Sequence, residues 1–147
     1  MASQVDPLVI RWRLHLRSSP AAVYRMLATD EGRARFWAEE AVESGGEIAW
    51  RFPNGLTART RVLETSPPRR YSVEYLGGSV ATFELADDGA GGTDLTLTDT
   101  GVAEEDRIAT AAGWVSVLLA LKAAVDFGAD LRSHDPRRTW DQGYADN

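Results

Sequence analysis

Two histidines, 22 carboxylates and no cysteine make up the reactive inventory of this chain of 147 residues. Without cysteine there are no structural disulfides and no thiolate ligand or nucleophile. His134 stands next to Asp135, a pairing that can orient an imidazole for base catalysis and that capping of a helix end explains more cheaply. His15 lies between Arg13 and Arg17 on the outward parity of a strand and is expected at the surface. Glu39, Glu40 and Glu43 fall in a connector, and Glu104, Glu105 and Asp106 at a helix start, where solvent and the helix dipole account for them. Asp87-Asp88-Gly89 lacks the alternating ligands and distal Glu of a calcium loop and reads as a hairpin turn. The nucleophile elbow, the His-Glu-x-x-His zinc motif and the glycine loops for nucleotides are absent. No catalytic residue, metal site or cofactor is therefore expected.

Arg59 and Arg61 share one face of a strand whose other face carries Ala58 and Thr60. A slip of one residue would turn both arginines inward and make an anion pocket.

The elements that must position these residues follow from periodicity. Leu8 to Arg17 alternates, with Leu8, Ile10, Trp12, Leu14 and Leu16 on one face, which is a half-buried strand. Ser19-Pro20 is an N-cap followed by proline at the first helical position, and it predicts a short helix to about Ala28. Asp30 is expected to cap a second, which delivers Phe36 and Trp37. From Glu47 to Gly101 the chain reads as a strand meander. Its turns are Pro53-Asn54-Gly55, Ser66-Pro67-Pro68, Gly77-Gly78 and the polar loop Asp87 to Asp94.

Beyond Gly101 the period becomes helical: Trp114, Val117, Leu118, Leu121 and Val125 mark one face of a long amphipathic helix. Asp135-Pro136 then repeats the cap-plus-proline signal, with Trp140 and Tyr144 at i and i+4. A short helix docking on the body or on a second copy, as in a homodimer, is expected there.

A net charge of −6 argues against a nucleic-acid partner. The amino terminus has no leader-like pattern, and no stretch reads as a membrane span. A cytoplasmic protein without a membrane partner is the expectation, with one domain over 1–147, a core at 8–131 and a tail at 132–147.

A strand, two small helices, a strand meander and a long last helix resemble the helix-grip order of the SRPBCC or START-like superfamily. Ser19-Pro20-Ala21-Ala22-Val23-Tyr24, Phe36-Trp37, Gly45-Gly46 and Gly113-Trp114 narrow the resemblance to the branch named after the activator of heat-shock protein 90 ATPase. The resemblance spans residues 8 to about 130. It implies an α+β fold in which a curved antiparallel sheet wraps the carboxy-terminal helix, with a cavity between them. Strand and helix parity nominate Leu14, Trp50, Ala58, Tyr75, Phe83, Trp114 and Leu118 as its walls. Aromatic walls offer large apolar area, and Tyr and Trp keep one polar handle each.

The expected function is binding of a small, largely apolar molecule by a non-catalytic carrier, sensor or resistance-type protein. A cyclase-like or hydrolase-like enzyme would need an inward ionisable pair. A co-chaperone-like interaction module would need an apolar patch on the outer sheet face, and that face reads Arg11, Arg13, Arg17, Thr96 and Thr98.

Overall fold

The computed structural model describes residues 9–147. Leu8, where the sequence reading opens the first strand, and the seven residues before it lie outside the described residues. Strand β1 (Val9–Leu16) follows the alternation, with Ile10 and Leu16 buried and Leu14 half-buried. Trp12 departs from the inward expectation at 40% exposure. The reason is position, since β1 is an edge strand and the Trp12 ring lies at its rim, donating from Nε1 to the Ala111 carbonyl at 3.1 Å.

Helix α1 (Pro20–Ala28) is capped by Ser19, whose hydroxyl accepts from the Ala22 amide at 3.2 Å. Helix α2 (Asp30–Phe36) is capped by Thr29 and not by Asp30. A hydroxyl can both accept and donate. Thr29 Oγ1 accepts from the Gly32 amide at 3.0 Å and donates to the Arg25 carbonyl at 2.6 Å, fastening α2 to α1 as a carboxylate could not. Asp30 instead pairs with the buried Arg33 guanidinium at 2.6 Å. Arg33 also donates to the carbonyls of Leu27 and Ala41 and to the Tyr71 hydroxyl.

The segment read as a connector around Glu40 and Glu43 is strand β2 (Glu40–Ser44). Two glutamates within five residues hide its alternation, and at a sheet edge such charges are expected. Strands β3 (Glu47–Arg51), β4 (Thr57–Ser66), β5 (Arg70–Glu74), β6 (Val80–Asp87) and β7 (Thr93–Thr100) complete the meander. The seven strands form one antiparallel sheet in the order β1-β7-β6-β5-β4-β3-β2. Strands β1 and β2 are its two edges, and α1 and α2 carry the chain between them. Arg59 and Arg61 point outward to Glu47 and Glu74, so the anion-pocket register is not adopted. One irregularity matters for the site: β4 pairs with β3 through Arg61 but with β5 only from Val62, with a bulge between Val62 and Glu64. The sheet therefore splays between the first half of β4 and the end of β5.

Helix α3 (Arg107–Phe127) follows a 3-10 turn at Glu104–Asp106. Its 21 residues span about 31 Å. Gly128, in the left-handed region at φ 63°, closes it. Trp114, Leu118, Leu121 and Ala124 are buried, with Val117 and Val125 packed against the core. Contrary to the sequence reading, Glu104–Phe127 is long and apolar enough to cross a membrane by length and composition; here it lies against the sheet.

Beyond Gly128 the chain returns over α2 and β3. Arg132 donates to the carbonyls of Ala34 and Ala38 at 2.9 Å each, and Trp140 sits edge-on to Phe52 at 5.6 Å. The expected short helix here is only a 3-10 turn, Trp140–Gln142, because Gly143 at φ 90° ends it.

Candidate functional site

Where α3 crosses the sheet, five aromatic residues meet. Trp37, delivered by the end of α2, lies 4.8 Å from Trp50 of β3, 5.7 Å from Tyr75, 5.4 Å from Phe83 of β6 and 5.9 Å from Trp114 of α3, between ring centres. Tyr75 closes the group, 5.0 Å from Trp114 and 5.6 Å from Trp50. Most of these contacts are edge-to-face or tilted, the arrangement ring quadrupoles prefer.

Each indole in this box has a polar partner. Trp50 Nε1 donates to Thr60 Oγ1 at 2.8 Å, Trp37 Nε1 to the Tyr75 hydroxyl at 3.0 Å, and Trp114 Nε1 to Asp99 Oδ2 at 2.8 Å. Asp99 is fully buried, and its other oxygen, Oδ1, has no donor in hydrogen-bonding geometry, although the buried Ser79 hydroxyl lies near enough to the carboxyl to act on it. Burial pushes its carboxyl above the usual range, against the pull of the Trp114 and Ser79 side chains. Burial likewise raises the Tyr75 phenol, which the Trp37 indole lowers and the nearby Asp99 charge raises further. The apolar box thus contains one phenol, Tyr75, and is bordered at Trp114 by one buried carboxyl, Asp99.

The splay between β4 and β5 leads toward it. An open depression of about 440 Å³ lies there, lined by Leu56, Ala58, Thr60, Tyr75 and Leu76 among others. Tyr75 belongs to both, standing between the depression and the tryptophans.

Of the seven nominated residues, Trp50, Tyr75, Phe83 and Trp114 come together in the box. Ala58 faces Trp50 across β3 and β4 and lines the depression. Leu118 is buried one turn beyond Trp114. Leu14 is half-buried on β1 opposite Leu95, in the core. Sequence reasoning missed Asp99, although it falls on the inward parity set by Leu95 and Leu97. It also left Trp37 out of the nominated walls.

Neither histidine belongs to the box. His15 bonds Asp88 at 2.8 Å on the surface. His134 is held by Glu39 at Nδ1 (2.6 Å) and Asp130 at Nε2 (2.7 Å), not by its neighbour Asp135, so neither ring nitrogen is left for a substrate. No group of three metal-binding side chains occurs among the described residues.

The His134 contacts tie the tail to the connector between α2 and β2 and to the turn just past α3, and they carry a pH dependence. The Asp130 hydrogen bond, then Glu39, raises the His134 pKa above 6.5, against burial and the Arg132 charge. A raised folded-state pKa gives stability that is complete below the unfolded value and is lost as pH rises through the folded one. Thermal stability should therefore fall as pH rises above about 6.5. His134→Gln should remove that component of the fall; an identical pH profile in the variant would contradict the assignment.

Comparison with known proteins agrees with this architecture. The solution structure of the Aha1 dimer from Colwellia psychrerythraea superposes with a TM-score of 0.73 at 24% identity, covering 82% of this chain and 97% of that one. The protein SSP2350 from Staphylococcus saprophyticus gives 0.74 at 19% identity, over 84% and 96%. The protein encoded by BPP1335 from Bordetella parapertussis gives 0.67 at 25% identity, over 86% and 79%. No curated protein matches the chain. The family described as Activator of Hsp90 ATPase homolog 1-like protein matches residues 17–126, and with this helix-grip fold behind it the chain belongs to that family.

Proposed function

We propose that the chain binds a small, largely apolar molecule carrying a hydrogen-bond donor, taken up at the depression in the β4/β5 splay and admitted beside Trp37, Trp50 and Trp114 when Tyr75 swings aside, without chemical conversion. The observation that carries this reading is the unpartnered Oδ1 of buried Asp99, whose other oxygen is held by Trp114 of the aromatic box. A buried acceptor left unsatisfied costs about 1–3 kcal/mol, which a ligand donor would recover. The rings supply apolar contact and the carboxylate supplies orientation. A carrier or sensor needs nothing more. Because the Colwellia neighbour is described as a dimer, a second copy of the chain joins the ligand among the partners in this reading.

The test compares 4-butylphenol with 4-butylanisole, which differ in the donor. The phenol should bind roughly 2–10-fold more tightly, as one hydrogen bond of about 0.5–1.5 kcal/mol allows, and Asp99→Leu should erase the difference. Equal affinities in the wild-type protein would contradict the reading.

A second reading, an acid–base enzyme acting on such a molecule, is favoured by one observation. Tyr75 and Asp99 form the inward ionisable pair that such chemistry requires. Their hydrogen bonds run to Trp37 and Trp114 rather than to each other, which places the binding reading first. Turnover lost in both Tyr75→Phe and Asp99→Asn while binding persists would reverse that order.

A further inference from the structure

Helix α3 has a second apolar face. No charged residue occurs between Arg107 and Lys122, yet only one side of the helix meets the core. Opposite Trp114, Leu118 and Leu121, Ile108 is 84% exposed, Leu119 48% and Val115 36%, with Ala112 exposed among them. Only a third of the most apolar window of Glu104–Phe127 is buried. A helix apolar on every side is ordinarily covered on every side.

The order of residues along this face says what covers it. Glu105, Ile108, Ala112, Val115, Leu119 and Lys122 follow each other at intervals of three and four, the a/d spacing of a helix-pairing seam. The seam also reads alike from both ends in character: reversed, Lys122 falls on Glu105, Leu119 on Ile108 and Val115 on Ala112. We infer that α3 pairs with α3 of a second copy, antiparallel about a two-fold axis that crosses the helix between Ala112 and Val115. Such an interface is isologous and closes on itself. It covers the apolar stripe in both copies and sets Glu105 against Lys122 of the partner subunit at each end. Lys122 now donates to the His15 carbonyl and reaches Asp126 at 3.5 Å; a third of its side chain stays exposed, and its third N–H leaves room for a second carboxylate. Trp12, exposed at the sheet rim and anchored on Ala111, flanks the seam and widens it with the ring type that dominates interfaces. A lipid surface fits this face less well, because acidic Glu104, Glu105 and Asp106 stand at one end of the stripe and anionic headgroups attract basic residues.

One helix pair with flanking rings buries on the order of 1,000 Å², the small end of specific interfaces, so a reversible dimer is expected. The inference specifies the self-association part of the proposed function but stands on α3 alone, and its failure leaves ligand binding at Asp99 untouched. The experiment is sedimentation velocity and equilibrium of the full chain from about 5 to 500 µM. The expected result is a concentration-dependent shift from 16.1 kDa to twice that mass. Ile108→Glu and, separately, Leu119→Glu should each weaken dimerisation at least tenfold with an unchanged circular dichroism spectrum. Glu105→Lys should weaken it more at 20 mM than at 500 mM salt. A single-chain mass throughout, a dimer indifferent to both glutamate variants, or a monomer that floats with phosphatidylglycerol vesicles would each overturn the inference.

Discussion

Replacing Trp114 with alanine is expected to cost about 3–5 kcal/mol of folding stability. The ring is buried, touches Trp37, Tyr75 and Phe83, and is the place where α3 meets the sheet. Removing it leaves a void that neighbouring rings cannot fill, since Trp37 and Tyr75 are held by their mutual hydrogen bond and Phe83 by its strand. It also deprives Asp99 Oδ2 of its donor, so that both oxygens of a buried carboxyl then lack a partner, adding about 1–3 kcal/mol if no proton is taken up. Against a total of roughly 5–15 kcal/mol for a domain, the variant should be close to unfolding. Trp114→Phe separates the two contributions by restoring most of the ring volume without the donor. Urea titration measures both. A loss under about 1 kcal/mol in Trp114→Ala would mean that α3 does not seat this ring in the box.

The second large effect is expected at Gly32. Alanine in place of glycine inside a helix ordinarily stabilises by nearly 1 kcal/mol. Here the sign should reverse. A Cβ at Gly32 would lie 2.5 Å from the carbonyl oxygens of Arg25 and Met26 and 2.6 Å from the Met26 Cα, all backbone atoms of α1 that no rotamer change can move. The two helices would have to separate, loosening Thr29 and the buried Arg33. Overpacking of this kind costs about 3 kcal/mol or somewhat more. A thermal midpoint in Gly32→Ala equal to or above that of the wild-type chain would show that α1 and α2 do not cross at this distance.

Strong local rules made much of this fold legible. Period-two alternation located β1 and the meander, and Ser19-Pro20 located α1. The change of period after Gly101 located α3, and the parity of Arg59 and Arg61 was read correctly. What escaped had weak or misleading local signals. Strand β2 was hidden because an edge strand tolerates charge, so Glu40 and Glu43 obscured its period. Thr29 displaced Asp30 as the cap because it makes a second bond to α1, a tertiary fact.

The candidate site shows the same division. Trp50, Tyr75, Phe83 and Trp114 follow from parity, because a strand or helix face toward the core can be read without coordinates. Asp99 sits on a readable parity too, yet an aspartate at a strand end is ordinarily solvated. Only its position beneath Trp114 makes it buried. Trp37 enters the box because α2 ends over the sheet, which no periodicity encodes. The outward face of α3 went unread, since the core stripe alone satisfied the amphipathic pattern.

The five tryptophans offer a direct test of binding beside Asp99. Their indole N–H groups have distinct partners: Trp37 the Tyr75 hydroxyl, Trp50 Thr60, Trp114 Asp99, and Trp12 the Ala111 carbonyl, while Trp140 packs on Phe52 in the tail. Two-dimensional nitrogen–proton spectra of the labelled protein, titrated with 4-butylphenol, should move the Trp37, Trp50 and Trp114 indole resonances together and saturably. The Trp140 resonance should stay in place. Shifts confined to Trp12 and Trp140, or no saturable shift at all, would contradict a ligand site between α3 and the sheet.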